Sequence, residues 1–169
     1  EQLALRGFDV EVLTTCCRVP FENWWRNTLP AGEAELNGVT VRRFPVNTFG
    51  EELYHAMNAR VIHGQEMTPA QQRQFVEHTI NSDALVEHLR AHCAGRIVVG
   101  LPFTQGLIDA ACRALPGRFV LTPCLHDEPQ AFWETTAEMF ATAGRCCFLS
   151  EEEKSLAIQL YGERLGRRI

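Results

Sequence analysis

What the chain does not contain narrows its reading first. It has no G-x-G-x-x-G and no G-x-x-x-x-G-K-[ST], so neither a dinucleotide fingerprint nor a P-loop supports an assignment. The absence of G-x-S-x-G counts against an α/β-hydrolase nucleophile elbow. There is no C-x-x-C. The seven cysteines fall as two adjacent pairs, Cys16-Cys17 and Cys146-Cys147, and as Cys93, Cys112 and Cys124 singly, mostly in apolar contexts. That placement fits free thiols in a reducing cytoplasm better than a disulfide or metal framework. No signal peptide and no apolar run long enough to cross a bilayer are present, which leaves room for a peripheral contact at the inner face of a membrane. Repeats and low-complexity tracts are also missing. An excess of positive charge is missing too: the net charge of -5 argues against a general nucleic-acid binder. Arg42-Arg43 and the run from Arg164 to Arg168 read as a strand end and a helix C-terminus, where cations suit the dipole.

What is there is enough for one domain with a sizeable core: 169 residues, 46% hydrophobic and 22% charged. Glu1 to Gly7 reads as the end of a helix closed by a glycine, and Phe8 to Thr15 as a strand. A domain rarely begins on half a helix feeding a strand, so a preceding strand and most of a helix are expected to be missing. Cys16 to Gly38, with Pro20, Pro30 and Gly32, reads as a long loop, of the kind that is usually functional or mobile. Asn37-Gly38 is a turn signal, and Val39 to Val46 alternates as a strand. Glu51 to His63 reads as a helix. Thr68-Pro69 opens another, and Asn81-Ser82-Asp83 divides the apolar pattern between Gln72 and His92 into two.

Arg96 to Gly100 and Phe119 to Thr122 read as short strands buried on both faces, each followed by a loop and a helix, Leu107 to Leu115 and Gln130 to Ala143. Cys146 to Leu149 is a further strand. Ser150 and Glu153 have the spacing of a capping box opening a helix from Lys154 to Tyr161. Gly166 to Ile169 reads as the approach to another element, so the C-terminus too is expected to be cut. The succession predicts an α/β fold: a Rossmann-like, doubly wound, largely parallel sheet with helices on both faces.

The strongest functional signal follows the strand at Phe119. His126, Asp127, Glu128 and Pro129 come directly after its carboxyl end, where open α/β sheets bind ligands. The same carboxylates have a structural use, as caps of the helix that begins near Pro129. The neighbouring junction offers Thr104, Gln105 and the amides near Gly106 to a shared crevice, with capping again the competing role for Thr104. In the long loop, Trp24, Trp25, Arg26 and Asn27 combine flat apolar faces with donors, which suits a carbohydrate or lipid headgroup. The alternative is that a tryptophan pins the loop to the core. His78, His88 and His92 lack metal-ligand geometry, and a solvated face explains the last two.

Gly7 to Thr15, then Trp25-Arg26-Asn27 with Leu29-Pro30-Ala-Gly32, then Gly38 to Val46, followed by His126-Asp-Glu-Pro129 and Phe148-Leu-Ser-Glu-Glu152, together resemble the N-terminal domain of family 4 glycosyltransferases. The resemblance covers essentially the whole chain, and order and spacing carry it. It implies a GT-B architecture of two Rossmann-like domains, with residues 1–169 as the acceptor-binding half. The nucleotide-sugar donor would be held mainly by a C-terminal donor domain of the same chain, with no metal or cofactor in catalysis. It further implies retention of anomeric configuration by front-face displacement, with His126 reaching the transferred sugar. Against the family pattern, the first strand, its glycine-rich loop and the donor domain are absent, so these residues alone are not expected to catalyse transfer. Two other readings stand beside it: a stand-alone α/β binding or regulatory module, and a hydrolase or metal-dependent enzyme using His126, Asp127 and Glu128. The donor sugar, the acceptor and the oligomeric state are not legible.

Overall fold

The computed structural model describes residues 1–19 and 23–166. Pro20, and the residues from Arg167 to Ile169 that were expected to lead into another element, lie outside them. Among the described residues seven α-helices and six strands follow in the order α1 (Gln2–Leu5), β1 (Glu11–Thr15), β2 (Gly32–Leu36), β3 (Val39–Phe44), α2 (Glu51–Ile62), α3 (Pro69–Glu77), α4 (Asp83–His92), β4 (Val98–Gly100), α5 (Gly106–Ala114), β5 (Phe119–Leu121), α6 (Glu134–Thr142), β6 (Arg145–Cys146) and α7 (Glu151–Leu165). The class is α/β.

The sheet differs from the expected one. It consists of two three-stranded sheets, ordered β1-β3-β2 and β4-β5-β6. β1 and β3 are parallel, as are all three strands of the second sheet, but β2 runs antiparallel to β3. Asn37 and Gly38 both take positive φ (52° and 74°), the conformation of a tight hairpin turn, and Glu33 and Arg42 stand directly opposite across it. The loop expected over residues 16–38 therefore contains an edge strand. Arg42 ties the three strands of the first sheet, with Nε 2.9 Å from Glu11 and a terminal nitrogen 2.5 Å from Glu33.

Helices form where their caps predict. Thr68 accepts from the Gln71 amide and Gln71 answers to the Thr68 amide, with Pro69 next in the chain. Ser82 caps α4 through the Leu85 amide, separating it from α3. The expected helix from Gln130 to Ala143 is instead a 3-10 turn, Pro129–Phe132, followed by α6, because the backbone at Trp133 is extended (φ −79°, ψ 146°).

Phe103, Phe119, Leu121 and Phe140 are almost fully buried in the main core, against Leu89 of α4, Cys112 of α5, and Ala157 and Tyr161 of α7. Burying each large side chain contributes about 1.5–3 kcal/mol. α5 packs on β4 and β5, and α4 reaches β1. Val99 on β4 and its flanking alternate residues Ile97 and Leu101 are 55%, 81% and 55% exposed, leaving that side of the strand uncovered.

Candidate functional site

β5 ends at Leu121, and the chain then turns out of the sheet through Thr122 to Leu125. Cys124 takes φ 55°, left-handed and costly for a residue with a Cβ. On either side of the next peptide the fates divide: Leu125 is buried and His126 is exposed. The imidazole thus stands outside the carboxyl end of a parallel strand, paired on both sides by β4 and β6.

The wall facing it comes from the start of α7. His126 and Asp127 line a cleft of about 360 Å³ with Leu125, Leu149, Ser150 and Glu152. What holds the walls together is Glu153. Its carboxylate accepts the Leu125 amide at 2.8 Å through one oxygen and the Leu149 amide at 2.5 Å through the other. Ser150 caps α7 by accepting from the Glu153 amide at 3.1 Å. The expected capping box is therefore only half made: the Glu153 side chain, 8% exposed, turns to the loop after β5 instead of back to Ser150.

Glu128 occupies the position before the 3-10 turn, yet its carboxylate makes no cap bond. The backbone supplies the local closure, the Glu128 amide donating to the His126 carbonyl at 3.0 Å and the Ala131 amide to the Glu128 carbonyl at 2.9 Å. Burial pushes the Glu128 carboxyl above its ordinary value, and the charge of His126 pulls it back in part. Asp127 is exposed beside it.

The neighbouring junction lies alongside, the Phe103 amide donating to the Pro123 carbonyl at 3.0 Å, but it does not open into this cleft. Thr104 lines a separate cavity of about 10 Å³ with Asp109, Gln130 and Trp133, too small for a sugar. Gln105, not Thr104, takes the position before α5, and without a side-chain cap bond. The amides expected to face a crevice are consumed internally: Gly106 donates to Thr79 Oγ1 at 2.6 Å, and Leu107 to the Ile80 carbonyl at 2.9 Å.

The tryptophans are a correction to the expected contact surface. Trp24 and Trp25 are each 4% exposed. They pack edge-on to each other at 6.0 Å and against Tyr54, and Trp25 Nε1 donates to the His78 carbonyl at 3.1 Å. Rings packed in this way have no open face for a ligand to stack on. Asn27 clamps the Val46 backbone, accepting from its amide at 2.8 Å, which leaves Arg26 as the exposed side chain of the four without a structural duty.

The seven cysteines form no disulfide with one another; four are buried and Cys147 is exposed. Burial pushes Cys112 up to about 12, making it an inert core thiol. Among the described residues no three His, Cys, Asp or Glu side chains converge as a metal site would require, and no helix is long and apolar enough to cross a membrane. His88 and His92 stack at 4.6 Å, His88 also against Phe44. Sequence reasoning read Ser150 to Glu153 only as a helix start. The signal for more was already there, since Phe148 to Glu152 is one of the segments carrying the family resemblance. Compared with known proteins, the chain matches no family model, no curated sequence and no solved structure.

Proposed function

We propose that this chain is the acceptor-side, Rossmann-like N-terminal domain of a retaining GT-B glycosyltransferase of family 4, its sheet halves belonging to one doubly wound sheet. One observation carries the reading: two segments on which the resemblance rests, His126 to Pro129 and Phe148 to Glu152, are far apart in sequence and form facing walls of one cleft. Leu125, Leu149 and Leu156 give that cleft apolar ground. His126, Asp127, Ser150 and Glu152 supply donors and acceptors, the mixture a polyol needs.

In this reading His126 meets the transferred sugar, hydrogen-bonding a hydroxyl as positive charge develops on the ring and negative charge on the leaving phosphate. Asp127 and Glu128 orient the imidazole or bind acceptor hydroxyls, and Arg26 reaches the acceptor from outside. The partners are a sugar acceptor, a nucleotide-sugar donor and a C-terminal donor domain of the same polypeptide. The free thiols accord with a cytoplasmic setting, with any membrane contact peripheral.

The test uses the natural full-length product and a panel of nucleotide sugars, reading nucleotide release with and without glycoside acceptors. Release is expected. In His126→Ala it should fall by at least about tenfold, the worth of 1.4 kcal/mol in the transition state, with an unchanged melting temperature. A folded variant with near-normal turnover overturns the role of His126. A natural product that ends near residue 169 and binds glycosides without releasing nucleotide would be a binding module instead.

A further inference from the structure

The helix expected from Gln130 to Ala143 is interrupted at Trp133, and a small polar space lies beside the interruption. Buried Val76 of α3, Phe103, Trp133 and Met139 of α6 wall a cavity of about 10 Å³. That is room for one water molecule and nothing larger. Hydrogen-bonding side chains reach the same space from three directions: Thr104 ahead of α5 and Asp109 on it, Gln130 in the 3-10 turn, and Thr135 in the first turn of α6.

Two of these side chains lack a partner. Gln130 Oε1 and Thr135 Oγ1 are buried, and among the described residues neither is hydrogen-bonded. Their neighbours are engaged: Thr136 Oγ1 donates to the Gln130 carbonyl at 2.6 Å, and Asp109 Oδ2 is paired with Arg113 at 2.7 Å. A buried polar atom left unpaired is costly, and folded proteins rarely keep one, still less two lining a single cavity. The complement of an amide oxygen and a hydroxyl is a small group that donates to the first and accepts from the second. Water does both from one point. A hard cation does not suit the space, since it asks for about six oxygens, and Arg113 and Arg73 already set positive charge around Asp109.

We propose that this cavity binds one ordered water molecule, which donates to Gln130 Oε1 and accepts from the Thr135 hydroxyl, fastening the 3-10 turn after His126 to Glu128 onto the first turn of α6. Thr104 and Asp109 offer it further contacts, within the two to four that a buried water makes. The place matters for the cleft. Glu153 holds the loop ahead of His126 from α7. The water holds the segment behind it, where the Ala131 amide donates to the Glu128 carbonyl at 2.9 Å. With the bond from Thr136 to Gln130, it spans the extended residue Trp133. The inference rests on the two unpaired atoms and the cavity, and holds whether or not the domain serves a glycosyltransferase.

The deciding variant is Thr135→Val, close in shape and without the hydroxyl. A hydroxyl paired to water is an asset, and its removal is expected to lower the melting temperature by about 2–4 °C. An orphan hydroxyl is a liability that valine relieves, so a rise overturns the proposal. Gln130→Met, which keeps the length of the side chain, is read with the same signs. Magnetic relaxation dispersion of the solvent counts long-lived buried waters and is expected to find about one fewer in either variant than in the parent. Exchange of the Ala131 amide is expected to quicken by at least about threefold in both. An unchanged water count, or a parent crystal structure in which Gln130 Oε1 and Thr135 Oγ1 are bonded to protein groups alone, overturns the site. So does a parent melting temperature that rises with sodium and loses that dependence in the variants, because a cation would then fill the cavity. Loss of the water with unchanged exchange at Ala131 overturns its hold on the turn.

Discussion

The Glu153 carboxylate accepts the Leu125 amide at 2.8 Å, and through that bond the first turn of α7 fixes the loop that presents His126. The two residues are 28 apart in sequence, and a second bond from the same carboxylate to Leu149 closes the opposite wall. Glu153→Gln keeps the volume but replaces one acceptor with a donor that faces an N–H. It is expected to cost about 1–3 kcal/mol, the penalty of leaving a buried donor unpaired. Thermal unfolding should show this as a fall of roughly 2–4 °C per kcal/mol, and exchange of the Leu125 amide should quicken. Unchanged stability and exchange would mean that the carboxylate is not the clamp.

Trp24 and Trp25 separate a packing role from a binding role. Each is expected to cost about 3–5 kcal/mol on replacement by alanine in the protein without ligand, because each fills space between the long loop, Tyr54 and the segment after α3. Trp25→Phe retains most of the volume but strands the His78 carbonyl and should cost less. Urea unfolding checks all three. Alanine variants as stable as the parent would return the pair to the surface role that their sequence context suggests.

How much of this was legible depended on whether the information was local. Gly7, Thr68-Pro69 and Ser82 announce helix ends because capping is decided within four residues, and the structure has those ends. The position of His126 at a strand end was legible because Phe119 to Leu121 is a compact apolar run between turn residues. β2 was not: all five of its residues are exposed, so no buried face imposes an alternation to detect. The tryptophans were misplaced because the same residue types serve a ligand surface and an aromatic core, and only the partner, Tyr54 in α2, decides. Glu153 was half legible. Its spacing from Ser150 marks a capping box, but nothing local says that the Leu125 amide, 28 residues back, joins the Leu149 amide in taking the carboxylate away from Ser150.

Gly106 marks a close approach that only glycine permits. A Cβ there would lie 2.3 Å from the Val76 carbonyl oxygen and 3.1 Å from Thr79 Oγ1, where the end of α3 meets the start of α5. Gly106→Ala is expected to destabilise by about 1–3 kcal/mol, since relieving the overlap moves backbone and breaks the bond from the Gly106 amide to Thr79. Thr79→Ser, which keeps the hydroxyl, should be much milder. Equal losses for the two variants in urea unfolding would exclude the close approach as the cause.

Asp109 makes the pH dependence specific. It is 5% exposed on α5, and burial raises its carboxyl above the ordinary 3.8, although Arg113 at 2.7 Å and Arg73 pull it down while Glu77 and Glu138 push it up. A carboxyl raised on folding holds its proton more firmly in the native state than in the unfolded chain. Its contribution to stability is therefore greatest at acid pH and is lost as pH rises from the unfolded value through the folded one. At neutral pH the ionised Asp109 is a net cost despite the ion pair, since burial outweighs the pull of Arg113. Asp109→Asn, close in shape and uncharged, is expected to be neutral or stabilising at pH 7 and destabilising or neutral near pH 4. It should thus flatten the fall of stability across that interval. Urea midpoints for parent and variant at the two pH values check it. An Asn variant that loses more stability at pH 7 than at pH 4 would show that the Arg113 pair, rather than burial, governs this carboxylate.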